Sequence, residues 1–235
     1  MDFSNTLFGG RGAVLVALAL GLAACADDSV EPVANIAQLI DQAEAANDAG
    51  DVRGLWRTTA PVTVGETTAW VDLIWIMGEA TGWHVVTVYA DEAQTIPIVR
   101  WDIVRDYTLG GPAAISADAR ELDWSDRGSW LVSFLDSPEL LAVLGVDDCG
   151  LVSGQRTDTA PANCGTPFFP VRTCVMEDFA ELRDDVLTFG DPLAVDRCAE
   201  RVNEYEAWSF ERVPFTPDID AILADRPELS ASVLP

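Results

Sequence analysis

Hydrophobic spacing changes several times along this chain, and each change marks a predicted element. Val33, Ile36, Ile40 and Ala43 recur every three or four residues, with Gln38, Asp41, Gln42 and Glu44 elsewhere. A helix is expected over roughly residues 33–47, ended by Asp48-Ala49-Gly50. Residues 67–77 and 83–90 are instead rich in β-branched and aromatic side chains. They flank the turn-like Gly78-Glu79-Ala80-Thr81-Gly82, which predicts a β-hairpin. A helix over 69–80 is the rival reading of the same short apolar run. Residues 98–109 alternate more clearly. Val99, Trp101, Ile103, Arg105, Tyr107 and Leu109 share one face, and Arg100, Asp102, Val104, Asp106 and Thr108 share the other. That is the pattern of a half-buried antiparallel strand, with Pro97 at its start.

After Gly110-Gly111-Pro112 breaks this pattern, residues 130–135 read as a further strand. Asp136-Ser137-Pro138-Glu139 then opens a short helix to about Leu144, stopped by Gly145. Residues 146–173 carry turn formers and two cysteines and read as one long irregular segment. Two helices are expected next. Residues 175–187 place Phe179, Leu182 and Val186 on one side, and Asp191-Pro192 starts a second helix striped by Ala194, Cys198, Val202 and Tyr205. Residues 208–215 look extended, and Thr216-Pro217-Asp218 opens a last short helix with Ile219, Ile222 and Leu223. The expected fold is therefore a single α+β domain over residues 33–235. It has an N-terminal helix, an antiparallel sheet of about four strands and a disulfide-bonded helical C-terminal half.

The first residues follow a different logic. One Arg at position 11 precedes an uncharged run that ends Leu22-Ala23-Ala24-Cys25. The run is too short for a bilayer, which needs about 20 apolar residues, and has the layout of a secretory signal peptide. Leu22-Ala23-Ala24-Cys25 resembles the lipobox of bacterial lipoproteins. The resemblance implies that residues 1–24 are removed. It also implies that the Cys25 thiol carries a diacyl group, that the new amine is acylated with a chain such as palmitate, and that residues 25–32 form a lipidated tether. One acyl chain binds a membrane marginally, and two or more hold it stably. In the family, Asp directly after the lipidated cysteine retains a protein at the inner membrane. Ala26 stands there, which implies an outer-membrane location in the cell envelope. No family is recognised for the rest of the chain.

Composition narrows the chemistry. The formal charge is −25, and loss of residues 1–24 removes one acid (Asp2) and one base (Arg11) and leaves it unchanged. Such a chain repels nucleic acid and anionic lipid surfaces, so membrane contact is expected through lipid on Cys25 alone. Every basic residue is Arg, which excludes Schiff-base and lysine general-base chemistry. Cys149, Cys164, Cys174 and Cys198 form an even set in an exported chain and read as two disulfides. Three connectivities are open. Cys149–Cys164 and Cys174–Cys198 are preferred because near neighbours meet most often. No CxxC pair is present, and the calcium-loop fragment Asp123-Trp124-Ser125-Asp126-Arg127-Gly128 has Arg at position five, so neither metal nor cofactor is expected.

No catalytic residue is assigned. His84, the only imidazole, would share a strand face with Val86 and Val88. No nucleophile elbow, phosphate loop, dinucleotide fingerprint or HExxH is present. Eight tryptophans are more informative, and Trp75, Trp83 and Trp101 on neighbouring strands are a candidate ligand surface. The chain is expected to be a non-enzymatic binding or assembly module of the envelope, whose partner is an envelope protein or glycan. The alternative is a carboxylate-based, glycosidase-like hydrolase using Glu121, Asp123 and Asp126 beside Trp124 and Trp130.

Overall fold

The computed structural model describes residues 33–64, 67–135, 137–159, 174–191, 195–227 and 229. The signal peptide, Cys25, the tether and Cys164 lie outside these residues. In chain order the elements are α1 (Ile36–Ala46), β1 (Gly54–Val64), β2 (Thr67–Met77), β3 (Thr81–Tyr89), β4 (Pro97–Pro112), β5 (Ala119–Ser133) and α2 (Pro138–Val143). A single 3-10 turn (Asp147–Cys149) follows, then β6 (Arg156–Asp158), β7 (Val175–Arg183), β8 (Val186–Gly190), β9 (Tyr205–Arg212) and α3 (Pro217–Ala224). Hydrogen-bonded neighbours run β4-β3-β2-β1-β9-β8-β7-β5, and β4 pairs with β5, so the sheet closes into an eight-stranded antiparallel barrel. β6 is a ninth strand added to the far half of β5, against Trp130, Leu131 and Val132.

This corrects the α+β expectation. Among the described residues, the regular structure of the C-terminal half is mostly strand, not a helical pair. Residues 175–187 carry apolar side chains at both helical and alternating intervals, because a barrel strand beneath a second layer buries both faces. The turn decides between them. Asp184 and Asp185 both have positive φ, 53° and 59°, the backbone of a two-residue hairpin, which Asp tolerates better than most residues. The helix expected after Asp191 does not form over 195–204, where only a tight turn at Asp196–Ala199 is made.

The earlier elements follow the pattern more closely. β2 and β3 form the expected hairpin with Trp75 opposite His84, and β4 carries the expected two faces. Both faces of β4 are buried, however. Arg100 and Asp102 lie under the C-terminal segment, where Asp102 accepts from Trp83 Nε1 at 3.1 Å, Arg100 at 2.8 Å and Arg156 at 3.2 Å. Arg100 also donates to the Ile222 carbonyl, which ties α3 to the barrel wall. Two cores result. One fills the barrel with Trp56, Leu73, Trp75, Met77, Val86, Trp101, Trp124, Met176, Leu187, Phe189 and Phe210. The other lies outside it, where Val33, Ile36, Leu39 and Ala43 of the α1 region, with Ile219 and Leu223 of α3, cover Ile74, Ile76, Trp83 and Val104.

A register shift in β5 sets which side chains enter the lumen. Arg105 pairs with Asp126 and Val104 with Gly128, so Arg127 is the extra residue of a bulge. Leu122, Trp124 and Asp126 point inward before it, and Ser129 and Leu131 after it. Gly128 suits that position, because a Cβ would run into the Trp130 ring.

Candidate functional site

The barrel has two unlike ends. At the basal end, where β1 begins and β9 finishes, the α1–β1 segment folds across the mouth. Val52 packs into the interior core, and its carbonyl accepts from Trp56 Nε1 at 2.8 Å. Arg212 completes a clasp. Its guanidinium lies 4.0 Å from the Trp56 ring centroid and donates to the carbonyls of Asn47, Asp51 and Arg53 at 2.6–2.8 Å. Asn47 closes the loop by accepting from Leu55 N and donating to the Val213 carbonyl. Gly54 has φ +123°, and any Cβ there would lie 2.5 Å from Asn47 Oδ1.

Beside this clasp the lumen opens into a cleft of about 560 Å³. Its walls are apolar or aromatic: Val52, Tyr107, Leu109, Ala180 and Leu182. Its rim carries Asp51, Arg53, Glu79, Asp118 and Arg120. On the rim, Arg53 pairs with Asp51 at 2.6 Å and Arg120 donates to the Gly110 carbonyl. Tyr107 donates to the Gly78 carbonyl at 2.5 Å, and burial pushes its phenol pKa up.

Midway up the lumen lies a belt of ionisable groups. Arg105 and Asp126 pair at 2.6 Å, their side chains 7% and 3% exposed. Arg197, from the segment before β9, reaches Asp178 on β7 at 2.7 Å. Asp178 also accepts from the backbone N–H groups of Phe179 and Gly190. Burial pushes the Asp178 carboxyl up and the Arg197 guanidinium down, and their mutual attraction opposes both shifts. Glu206 on β9 is pushed well above the usual carboxylate range, first by burial and then by the charge of Asp178. His84 stacks on Trp75, ring centroids 4.0 Å apart, and burial followed by the Arg105 charge holds its pKa well below the usual imidazole value. It is therefore neutral. Trp124 stacks on the same indole at 5.1 Å.

The sequence-derived candidates are redistributed by this geometry. Trp75 and Trp101 face the lumen and Trp83 faces the outer core, and all three are buried. They do not share a surface, and all eight tryptophans are buried or half-buried. Glu121 and Asp123 project outward to Arg201, whereas Asp126 projects inward to Arg105, so the barrel wall separates these carboxylates. The Cys174–Cys198 disulfide is present and joins the start of β7 to the Arg197 segment. Cys149 is disulfide-bonded as well; the expected Cys149–Cys164 pairing involves a residue outside the described ones. Among the described residues no three His, Cys, Asp or Glu side chains are placed to hold a metal ion, and no helix is long and apolar enough to cross a membrane. Sequence reasoning missed Asp178, Arg197 and Glu206. Only Arg105 gave a signal, by sharing a strand face with five apolar residues. The chain matches no protein-family model and no curated protein.

Proposed function

We propose that this protein is an exported, lipid-anchored binding module that holds one small, largely apolar ligand in the basal lumen of its barrel. The observation that carries the reading is the cleft of about 560 Å³ between Tyr107, Leu109, Ala180 and Leu182. Eight-stranded barrels are either filled by their own side chains or leave room for a single small ligand. A cleft of this size lies in the usual range for small-molecule sites, and its apolar walls with a polar rim suit a ligand that buries most of its surface. Lipid on Cys25 would hold the module at the envelope, as the lipobox resemblance implies.

The neutral, solvent-sensitive dye Nile red tests the ligand site. Saturable emission is expected with the wild-type protein and its loss with Leu182→Trp, which fills the cleft from its wall. Absence of saturable emission from the wild type, or full emission from Leu182→Trp, would overturn the site. The anchor is tested separately by metabolic labelling with palmitate. The wild type should incorporate label and Cys25→Ser should not, and labelling of that variant would refute the anchor.

A further inference from the structure

The two strands that close the barrel, β1 and β9, pair over only two positions, Trp56↔Arg212 and Arg57↔Glu211. Both strands continue well past that point, β1 to Val64 and β9 back to Tyr205. Leu55 and Arg57 turn their backbone groups toward β9, since the Val213 N–H donates to the Leu55 carbonyl and Arg57 pairs with Glu211. By strand alternation, Thr59, Pro61 and Thr63 turn theirs into the same seam, and from the other side so do Ser209, Ala207 and Tyr205. No ladder joins these residues across the seam among the described residues.

Natural edges are normally blunted by charge, proline or cover. All six seam residues are exposed and uncharged, in a chain of net charge −25. Pro61 is the sole defence of the six, and it withdraws one donor. The inner side of the seam is equally unusual. Ala60, Val62 and Trp208 pack on the interior core. If the register Trp56↔Arg212 continued, Val62 would face Glu206. Glu206 Oε1 is sealed from solvent and has no hydrogen-bond partner among the described residues. The carboxylates of Asp178 and Asp191 and the guanidinium of Arg197 all act electrostatically on Glu206.

From this we infer that the β1–β9 seam is a strand-addition groove for an extended, basic segment of another protein. The segment's backbone pairs with the edge Thr59–Thr63, a span of about 17 Å. One inward lysine or arginine meets the Glu206 carboxyl. Main-chain hydrogen bonds would give affinity, and the single inward base would give register and selectivity. The chain's own charge favours a basic partner over an acidic one.

The probe is a fluorescein-labelled peptide, acetyl-Val-Thr-Val-Lys-Val-Thr-Val-amide, titrated by fluorescence polarisation into the full mature protein. Saturable binding is expected. Glu206→Gln should weaken it about tenfold, the loss of one charge-assisted hydrogen bond. Thr63→Pro, which removes an exposed edge donor without touching the lumen, should abolish it. Equal binding of the peptide with Glu in place of Lys would overturn the proposal, as would undiminished binding by Thr63→Pro. Concentration-dependent dimerisation of the peptide-free protein, lost in Thr63→Pro, would assign the seam to a second copy and also overturn it. Nile red emission is unaffected by these seam variants if the two sites are independent, so failure here leaves the basal cleft to stand or fall by its own test.

Discussion

The same two strands behave in opposite ways at their two ends. Where β1 and β9 meet at the base, one arginine binds three backbone carbonyls and covers an indole, and one asparagine ties β1 to the residue after β9. A few residues higher, the same strands present exposed, uncharged edges with no ladder between them. The contrast shows that closure of this barrel is local. It depends on a clasp at one level rather than on a full-length ladder, and among the described residues no ladder closes the rest of the seam.

The clasp should therefore carry far more stability than any equal length of seam. Arg212→Ala removes three charge-assisted hydrogen bonds and the cover over Trp56, and about 3–5 kcal/mol of unfolding free energy should be lost. Urea unfolding of the purified protein measures it. A loss below 1 kcal/mol would mean that the clasp does not hold the closure. Gly54→Ala is the next largest effect. It forces an L side chain into φ +123° and drives a methyl group against Asn47 Oδ1, so about 2–3 kcal/mol should be lost, with Nile red binding weakened alongside because Val52 lines the cleft.

The sequence foretold these two levels unequally, for physical reasons. β2, β3 and β4 were legible because uninterrupted aromatic and β-branched runs have few alternatives to strand. β1 was not assigned, since Arg57, Thr58, Thr59 and Pro61 dilute its alternation; it carries both the clasp and the seam. The first half of β5 was missed because its outward acids, Glu121 and Asp123, frame an inward one, Asp126. Residues 175–187, which form β7 and the start of β8, read as helix because Asp184-Asp185 lacks the glycine that usually marks such a turn. The lumen charges stayed hidden for a general reason. A charged residue is read as solvated unless its strand neighbours argue otherwise, and only Arg105 had such neighbours. Asp178 sits between Glu177 and Phe179, which point outward, and nothing local marks it as internal.

The seam's inner face has a pH signature of its own. Glu206 titrates from an ordinary carboxylate value near 4.5 in the unfolded chain to well above it when folded, so the folded state binds the proton more tightly. Stability that is fully present below pH 4.5 should fall as pH rises through the folded value, by at most about 1.4 kcal/mol per pH unit for this one group. Asp178 and Asp102, also shifted upward, add to the same slope. Glu206→Gln cannot ionise and should lose only its share. Its unfolding free energy should match the wild type at pH 4 and exceed it at pH 8. Identical pH profiles for the two proteins would show that Glu206 is not held in a sealed, unpaired state.

The smallest expected effect is the most discriminating. Thr59 is exposed on an edge with no ladder partner among the described residues, so Thr59→Lys should change stability by less than about 0.5 kcal/mol, as surface substitutions away from special features do. Thr188→Lys on β8 is the matched control. Its strand is paired on both sides, with Glu181 and Ser209, and offers no edge. If the seam accepts an extended basic segment, the new charge at position 59 repels that segment and spoils the edge, and peptide affinity should fall several-fold while the melting temperature stays put. The same charge at position 188 should leave affinity nearly unchanged. Equal losses in both variants would mean that the peptide senses only the protein's overall acidity. A loss confined to position 59 places it on β1, at the level where the clasp has stopped and the two strands have parted.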